Sequence, residues 1–132
     1  MALSSQRANS LIVGPDAPDW SGGVQADIRA LGDLEPNWDG YGAPAIDPAV
    51  LAAAEAFVGK LPGILAPRPR VVPMSNGTLQ LEWHAGPKSW ELEFESPHSI
   101  RYLQWNPDEG VEEEASFPAT DVETAVNLFT GR

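Results

Sequence analysis

A chain of 132 residues with 19 acidic and 8 basic side chains carries a formal charge of −11 and has no cysteine, which points to one domain without disulfides or thiolate metal sites, suited to a reducing cytoplasm. Eleven of the acids lie between Glu82 and Glu123 against Lys88 and Arg101 alone, so this segment holds −9 of the total. Such a field repels phosphate backbones and anionic lipid, arguing against direct nucleic-acid or membrane binding, and it attracts basic protein surfaces.

Residues 1–18 have no sustained hydrophobic period and include Gly14-Pro15 and Ala17-Pro18, the composition of a mobile tail. Leu11, Ile12 and Val13 are too few for a signal-peptide core. The expected organisation is therefore a tail, residues 1–18, and a single domain, residues 19–132, soluble and cytoplasmic. Ser21 is a candidate cap for a helix over 22–34 whose apolar positions Val24, Ile28 and Leu31 recur at helical spacing. A second helix is signalled by Asp47 at the N-cap, Pro48 at the first helical position and Ile46 placed to pack on Leu51. Its stripe is Leu51, Ala54, Phe57, Val58 and Leu61, and Leu61-Pro62-Gly63 ends it. Residues 62–69 form a proline-punctuated connector.

From Arg70 to Phe117 the sequence reads as a meander. Ser75-Asn76-Gly77 is a strong hairpin turn after Val71-Val72-Pro73-Met74. In the next two segments Leu79, Leu81 and Trp83, then Trp90, Leu92 and Phe94, alternate with Gln80, Glu82 and His84, then Glu91, Glu93 and Glu95, the period of strands with one buried face. Closing the turn at Ala85-Gly86-Pro87 pairs Trp83 with Trp90, Leu81 with Leu92 and Leu79 with Phe94, and sets Glu82 opposite Glu91. A turn at Ser96-Pro97-His98 then brings Ile100 to Phe94, Tyr102 to Leu92 and Arg101 beside Glu93. A further strand is expected within Val111–Phe117, after Asn106-Pro107-Asp108. A final helix has Thr120 and Glu123 as a capping box, the stripe Val122, Ala125, Val126 and Phe129, and a stop at Gly131. The expected fold class is α+β: two N-terminal helices, an antiparallel meander of about four strands, and one C-terminal helix packed on one sheet face.

No phosphate loop, dinucleotide fingerprint, nucleophile elbow or paired-histidine metal spacing is present. Of two histidines, His84 falls near carboxylates, with Glu82 on its own face and Glu91 across the strand, a set able to hold a divalent ion or divide acid and base roles. A small metal-dependent hydrolase using Glu82, His84 and Glu91, or Asp39, is the enzymatic alternative. The acidic face has a second explanation. Like charges opposed on a sheet repel, and a basic partner relieves that repulsion as well as adding attraction. Leu103 and Trp105 fall on the same face as Glu82, Glu91, Glu93 and Glu95, and tryptophan is a frequent interface anchor.

Asn37-Trp38-Asp39-Gly40-Tyr41-Gly42-Ala43-Pro44 contains what a tight reversal needs: glycines free to take positive φ, two Asx side chains that accept backbone N–H groups, and a proline that delays the next helix. Asn37, Trp38, Asp39, Gly40, Tyr41 and Gly42 are read as a structural corner, with both aromatics tucked over the helix ends. This corner, together with Gly77-Thr78-Leu79-Gln80-Leu81-Glu82-Trp83, resembles a group of small bacterial proteins sharing an N-W-D-G-x-G-A-P corner and a Q-L-E-W strand. The resemblance spans about residues 34–130 and implies no activity, catalytic residue, metal or cofactor. By size and charge such a chain is similar in character to antitoxins, immunity proteins and phage-encoded inhibitors. The expectation is a non-enzymatic acidic protein that binds and inhibits or neutralises a basic protein surface, in one version as a nucleic-acid mimic. A homodimerising accessory domain is the remaining alternative.

Overall fold

In the computed structural model, residues 19–61 and 68–131 are described. The tail of residues 1–18 and most of the connector, residues 62–67, lie outside the described residues, as does Arg132. The fold is α+β: two helices, an antiparallel meander and a C-terminal helix.

Helix α1 runs Ser21–Ala30 and tightens into a 3-10 turn over Leu31–Asp33, so the helix expected to reach residue 34 is α-helical only in its first ten residues. Ser21 lies inside it, and the orphan N–H of Ser21 is met by Asp19 Oδ1 at 2.9 Å. Asp19 therefore does the work expected of Ser21, because a carboxylate is the stronger acceptor and favours a helix N-terminus. Helix α2, Pro48–Lys60, starts as expected: Asp47 accepts from the N–H of Ala49, and Pro48 needs no partner for the donor it lacks. Its buried positions are Val50, Ala54, Phe57 and Val58, while Leu51 is half-buried. The stripe is rotated by one residue from the sequence reading at its first turn. The Gln25 amide donates to the Glu55 carbonyl at 3.0 Å and Arg29 pairs with the Glu55 carboxylate, which joins the two helices at Glu55.

Five strands follow in the order β1-β2-β3-β4-β5: Arg70–Pro73, Leu79–Ala85, Lys88–Phe94, Ser99–Asn106 and Gly110–Pro118. Among the described residues each strand pairs with its sequence neighbour, and the register agrees with the alternation pair by pair. Trp83 opposes Trp90, Leu81 opposes Leu92 and Leu79 opposes Phe94; Ile100 opposes Phe94, Tyr102 opposes Leu92 and Arg101 opposes Glu93. The last strand is longer than its poor alternation indicates, and its pairing to β4 shifts at a bulge between Gln104 and Trp105.

Helix α3, Val122–Thr130, is capped by Asp121, whose carboxylate accepts from Thr124 N–H and Oγ1 at 3.1 and 2.7 Å. Thr120 is exposed and precedes the cap by one residue, a correction to the expected capping box. Gly131 ends the helix with a positive φ of 75°, as expected.

All three helices bury residues in the same cluster as one sheet face. Phe57 of α2 meets Phe94 edge-on at 5.5 Å between ring centroids. Phe129 of α3 lies 4.8 Å from Trp83 and 5.7 Å from Tyr102, and Trp20, just before α1, lies 6.3 Å from Trp83. Large buried aromatics of this kind each remove about 150–250 Å² from water, so the ladder Leu81, Trp83, Trp90 and Leu92 is the centre of the core. The even-numbered residues of β2 and the odd-numbered residues of β3 and β4 are left to the other face.

Candidate functional site

The face opposite the helices is built by strand pairing. Glu82 stands across from Glu91, Glu91 from Leu103, Ser89 from Trp105, and Leu103 from Glu114. The predicted anchor pair is therefore among the carboxylates: Leu103 and Trp105 are half-buried, and the Trp105 indole N–H points to Glu91 Oε2 at 3.4 Å. The bulge sets Val111, 62 % exposed, opposite Trp105. Trp105, Leu103 and Val111 make a small apolar area on an otherwise charged sheet.

The carboxylates of this face are not equivalent. Glu82 is only 16 % exposed in its side chain; its Oε2 accepts from the Gln80 amide at 2.6 Å, and its Oε1 has Arg70 at 3.8 Å and His84 at 3.7 Å. Glu114 receives the Arg101 guanidinium at 2.9 Å. Sequence reasoning placed Arg101 beside Glu93. The backbone does so, but the side chain turns to Glu114, and that hydrogen bond, followed by the charges of Glu114, Glu93 and Glu95, raises the Arg101 pKa. The side chains of Glu93 and Glu95 form no hydrogen bond or ion pair among the described residues. A strand rises about 3.4 Å per residue, so Glu91 and Glu93 stand about 7 Å apart in a row that Glu95 continues just past the end of β3.

His84 is 60 % exposed, with Nδ1 3.0 Å from Ser89 Oγ and Nε2 3.7 Å from Glu82. Glu91 does not join it, since Glu91 opposes Glu82 and borders Trp105 instead. Among the described residues no group of three His, Asp or Glu lies close enough to hold a metal ion. The cleft between α2 and the turns at Pro97 and Ala119-Thr120 is about 80 Å³ and lined by Phe57, Lys60 and alanines. That is room for a few waters, well short of the several hundred Å³ of an ordinary ligand pocket.

The corner holds itself together. The Asn37 N–H donates to the Ala43 carbonyl at 2.7 Å and Asn37 Oδ1 accepts from Gly42 at 2.7 Å. Asp39 Oδ1 accepts from Tyr41 and Ala43 at 2.8 and 3.1 Å, contacts that lower its pKa. Gly40 and Gly42 take φ of 79° and 85°, as the turn requires, and Asn37 shares the left-handed region at 69°. Trp38 is half-buried and donates its indole N–H to the Pro44 carbonyl at 2.8 Å. Tyr41 departs from the sequence reading. It is 93 % exposed, not tucked over a helix end.

Sequence reasoning missed the roles of four residues. Val111 reaches the face only through a bulge, Glu114 takes Arg101 through side-chain choice, and Gln80 and Ser89 are buried there beneath charged neighbours. Only the last two had a signal: two small or amide side chains in the middle of a charged alternation. Among the described residues no helix is long and apolar enough to cross a membrane. Compared with models of protein families, with curated proteins and with solved structures, the chain matches none.

Proposed function

We propose that this is a non-enzymatic interaction protein whose open sheet face receives a basic surface of another protein and inhibits or neutralises it. The observation that carries the reading is the run Glu91, Glu93 and Glu95 with the half-buried pair Leu103 and Trp105 at its Glu91 end. Glu82 and Glu114 already have cationic or amide donors, whereas the side chains of Glu93 and Glu95 share only the field of Arg101 and have no hydrogen bond or ion pair of their own among the described residues. Arriving lysines or arginines relieve the mutual repulsion of the row and gain a salt-sensitive attraction that accelerates encounter. Trp105 supplies contact area that excludes water around those charge pairs. When the basic surface is itself a nucleic-acid site, the domain acts as a competitor of the nucleic acid.

The test is a pull-down from the native host with the native chain and with the triple variant Glu91→Lys, Glu93→Lys and Glu95→Lys, followed by titration of the recovered partner. These side chains point away from the core, so circular dichroism should match the native chain. Binding should fall by at least 100-fold, on the order of 1.4 kcal/mol for each decade. A partner bound by the triple variant as tightly as by the native chain overturns the reading.

A further inference from the structure

The corner offers a contact of a different kind. Six hydrogen bonds fix its eight residues, including the Gly40 N–H to the Asn37 carbonyl at 3.1 Å, and three residues accept positive φ to make the turn. It also leads directly into an anchored segment, since the Asp47 N–H, three residues beyond Pro44, donates to the Gly77 carbonyl at 2.9 Å. A connection between two helices needs far less than this. The ordered frame holds out one large side chain, Tyr41, at 93 % exposure. A tyrosine held out on an ordered backbone has only two side-chain torsions to lose on binding, which is what makes tyrosine effective at interfaces.

The surroundings narrow the chemistry of what covers it. Between Arg29 and Lys60 there is no basic residue, while Asp33, Glu35, Asp39, Asp47 and Glu55 are acidic. Asp33, Glu35 and Asp47, near the corner in sequence, are exposed. A ring face in such a field favours a cation lying on it, and the planar guanidinium of arginine does so best.

We propose that Tyr41 is a contact residue for an arginine-bearing protein surface, the guanidinium stacking on its ring while Asp33, Glu35 and Asp47 supply the field. This contact is distinct from the apolar anchor of the sheet face. The corner rests on the β1–β2 turn, near the end of β3 where Phe94 pairs with Leu79 and Glu95 follows, whereas Trp105 lies toward the opposite end of the strands and two strands across, roughly 20–25 Å away by strand spacings.

The probe is a blocked hexa-arginine peptide titrated into the full, isotope-labelled chain, with the Tyr41 ring and the glutamate side chains of β3 followed by NMR. Tyr41 ring resonances should shift saturably. Tyr41→Leu should weaken the corner's affinity about two- to fivefold, the range of an exposed cation–π contact, and Tyr41→Phe should preserve it. With Glu91, Glu93 and Glu95 all changed to Gln, the β3 response should vanish while the Tyr41 shift remains, so failure of the sheet-face reading and failure of this one are told apart. A silent Tyr41 ring, or equal shifts in the native chain and Tyr41→Leu for the surrounding backbone, overturns the proposal. So does a Tyr41 shift that follows protein concentration without peptide, which assigns the ring to a second copy of the chain.

Discussion

The backbone N–H of Asp47 donates to the carbonyl of Gly77 at 2.9 Å, so the residue that caps α2 is hydrogen-bonded to the turn that opens the sheet. Gly77 has a φ of 88°, and a Cβ there meets the Ala45 carbonyl oxygen at 3.2 Å and Pro44 at 3.3 Å. One position therefore carries both a left-handed backbone and a close approach between the β1–β2 turn and the segment leading into α2.

Gly77→Ala is expected to cost about 1–3 kcal/mol, the sum of a disfavoured φ and a steric push against the corner. Gly86→Ala is the matched control, because Gly86 has a φ of 61° with nothing within 4 Å of the added methyl. It should cost only the backbone share, about 1 kcal/mol. Urea denaturation of both variants separates the two contributions. Equal losses show that the packing against Pro44 and Ala45 contributes nothing.

Acid should unfold the chain through its capping aspartates. Hydrogen bonds from Tyr41 and Ala43 lower the Asp39 pKa, those from Thr124 lower that of Asp121, and those from Ser21 lower that of Asp19. Each group is harder to protonate folded than unfolded. Its contribution is therefore complete above the unfolded aspartate pKa, near 4, and is lost as pH falls through the lower folded value. Stability measured from pH 6 down to 2 should decline below about pH 4, and the double variant Asp39→Asn and Asp121→Asn should decline less steeply. An identical acid limb in that variant removes these two groups from the account.

Glu82 and Glu91 face each other across β2 and β3. Neutralising one of them by Glu91→Gln should raise stability by a few tenths of a kcal/mol at low salt, since the amide oxygen keeps an acceptor for Trp105 while the repulsion disappears. The gain should fade at 1 M salt, where screening leaves little repulsion to remove. Thermal melts at the two salt concentrations measure it. A destabilised variant at low salt means that the Trp105–Glu91 contact outweighs the repulsion.

The strands were legible because a period of two, once the turns at Gly77 and Gly86 are placed, leaves a single register that buries Trp83, Trp90, Leu92 and Tyr102 together. The caps were less so. Asp19 and Asp121 outcompeted their neighbours Ser21 and Thr120, and a choice between adjacent capping residues depends on backbone geometry that residue types do not encode. The acidic face, too, followed from alternation, but its internal pairing did not. Arg101 selects Glu114 over Glu93 by side-chain conformation, and Val111 meets Trp105 through a bulge with no pattern of its own. Tyr41 was misplaced because aromatic residues are usually covered, while the hydrogen bonds that hold it outward are backbone events.

On β3, Trp90, Leu92 and Phe94 stay with the core while Glu91 and Glu93 alternate with them and Glu95 follows just past the strand's end. The interleaving has an evolutionary consequence. Substitutions at the odd positions change the charge and shape of the outer surface while leaving the buried set of the strand in place. Insertion or deletion of one residue in this strand is another matter. It exchanges the two sets, driving three carboxylates inward and three large apolar groups outward, so the lineage should vary freely in letters here and hardly at all in length.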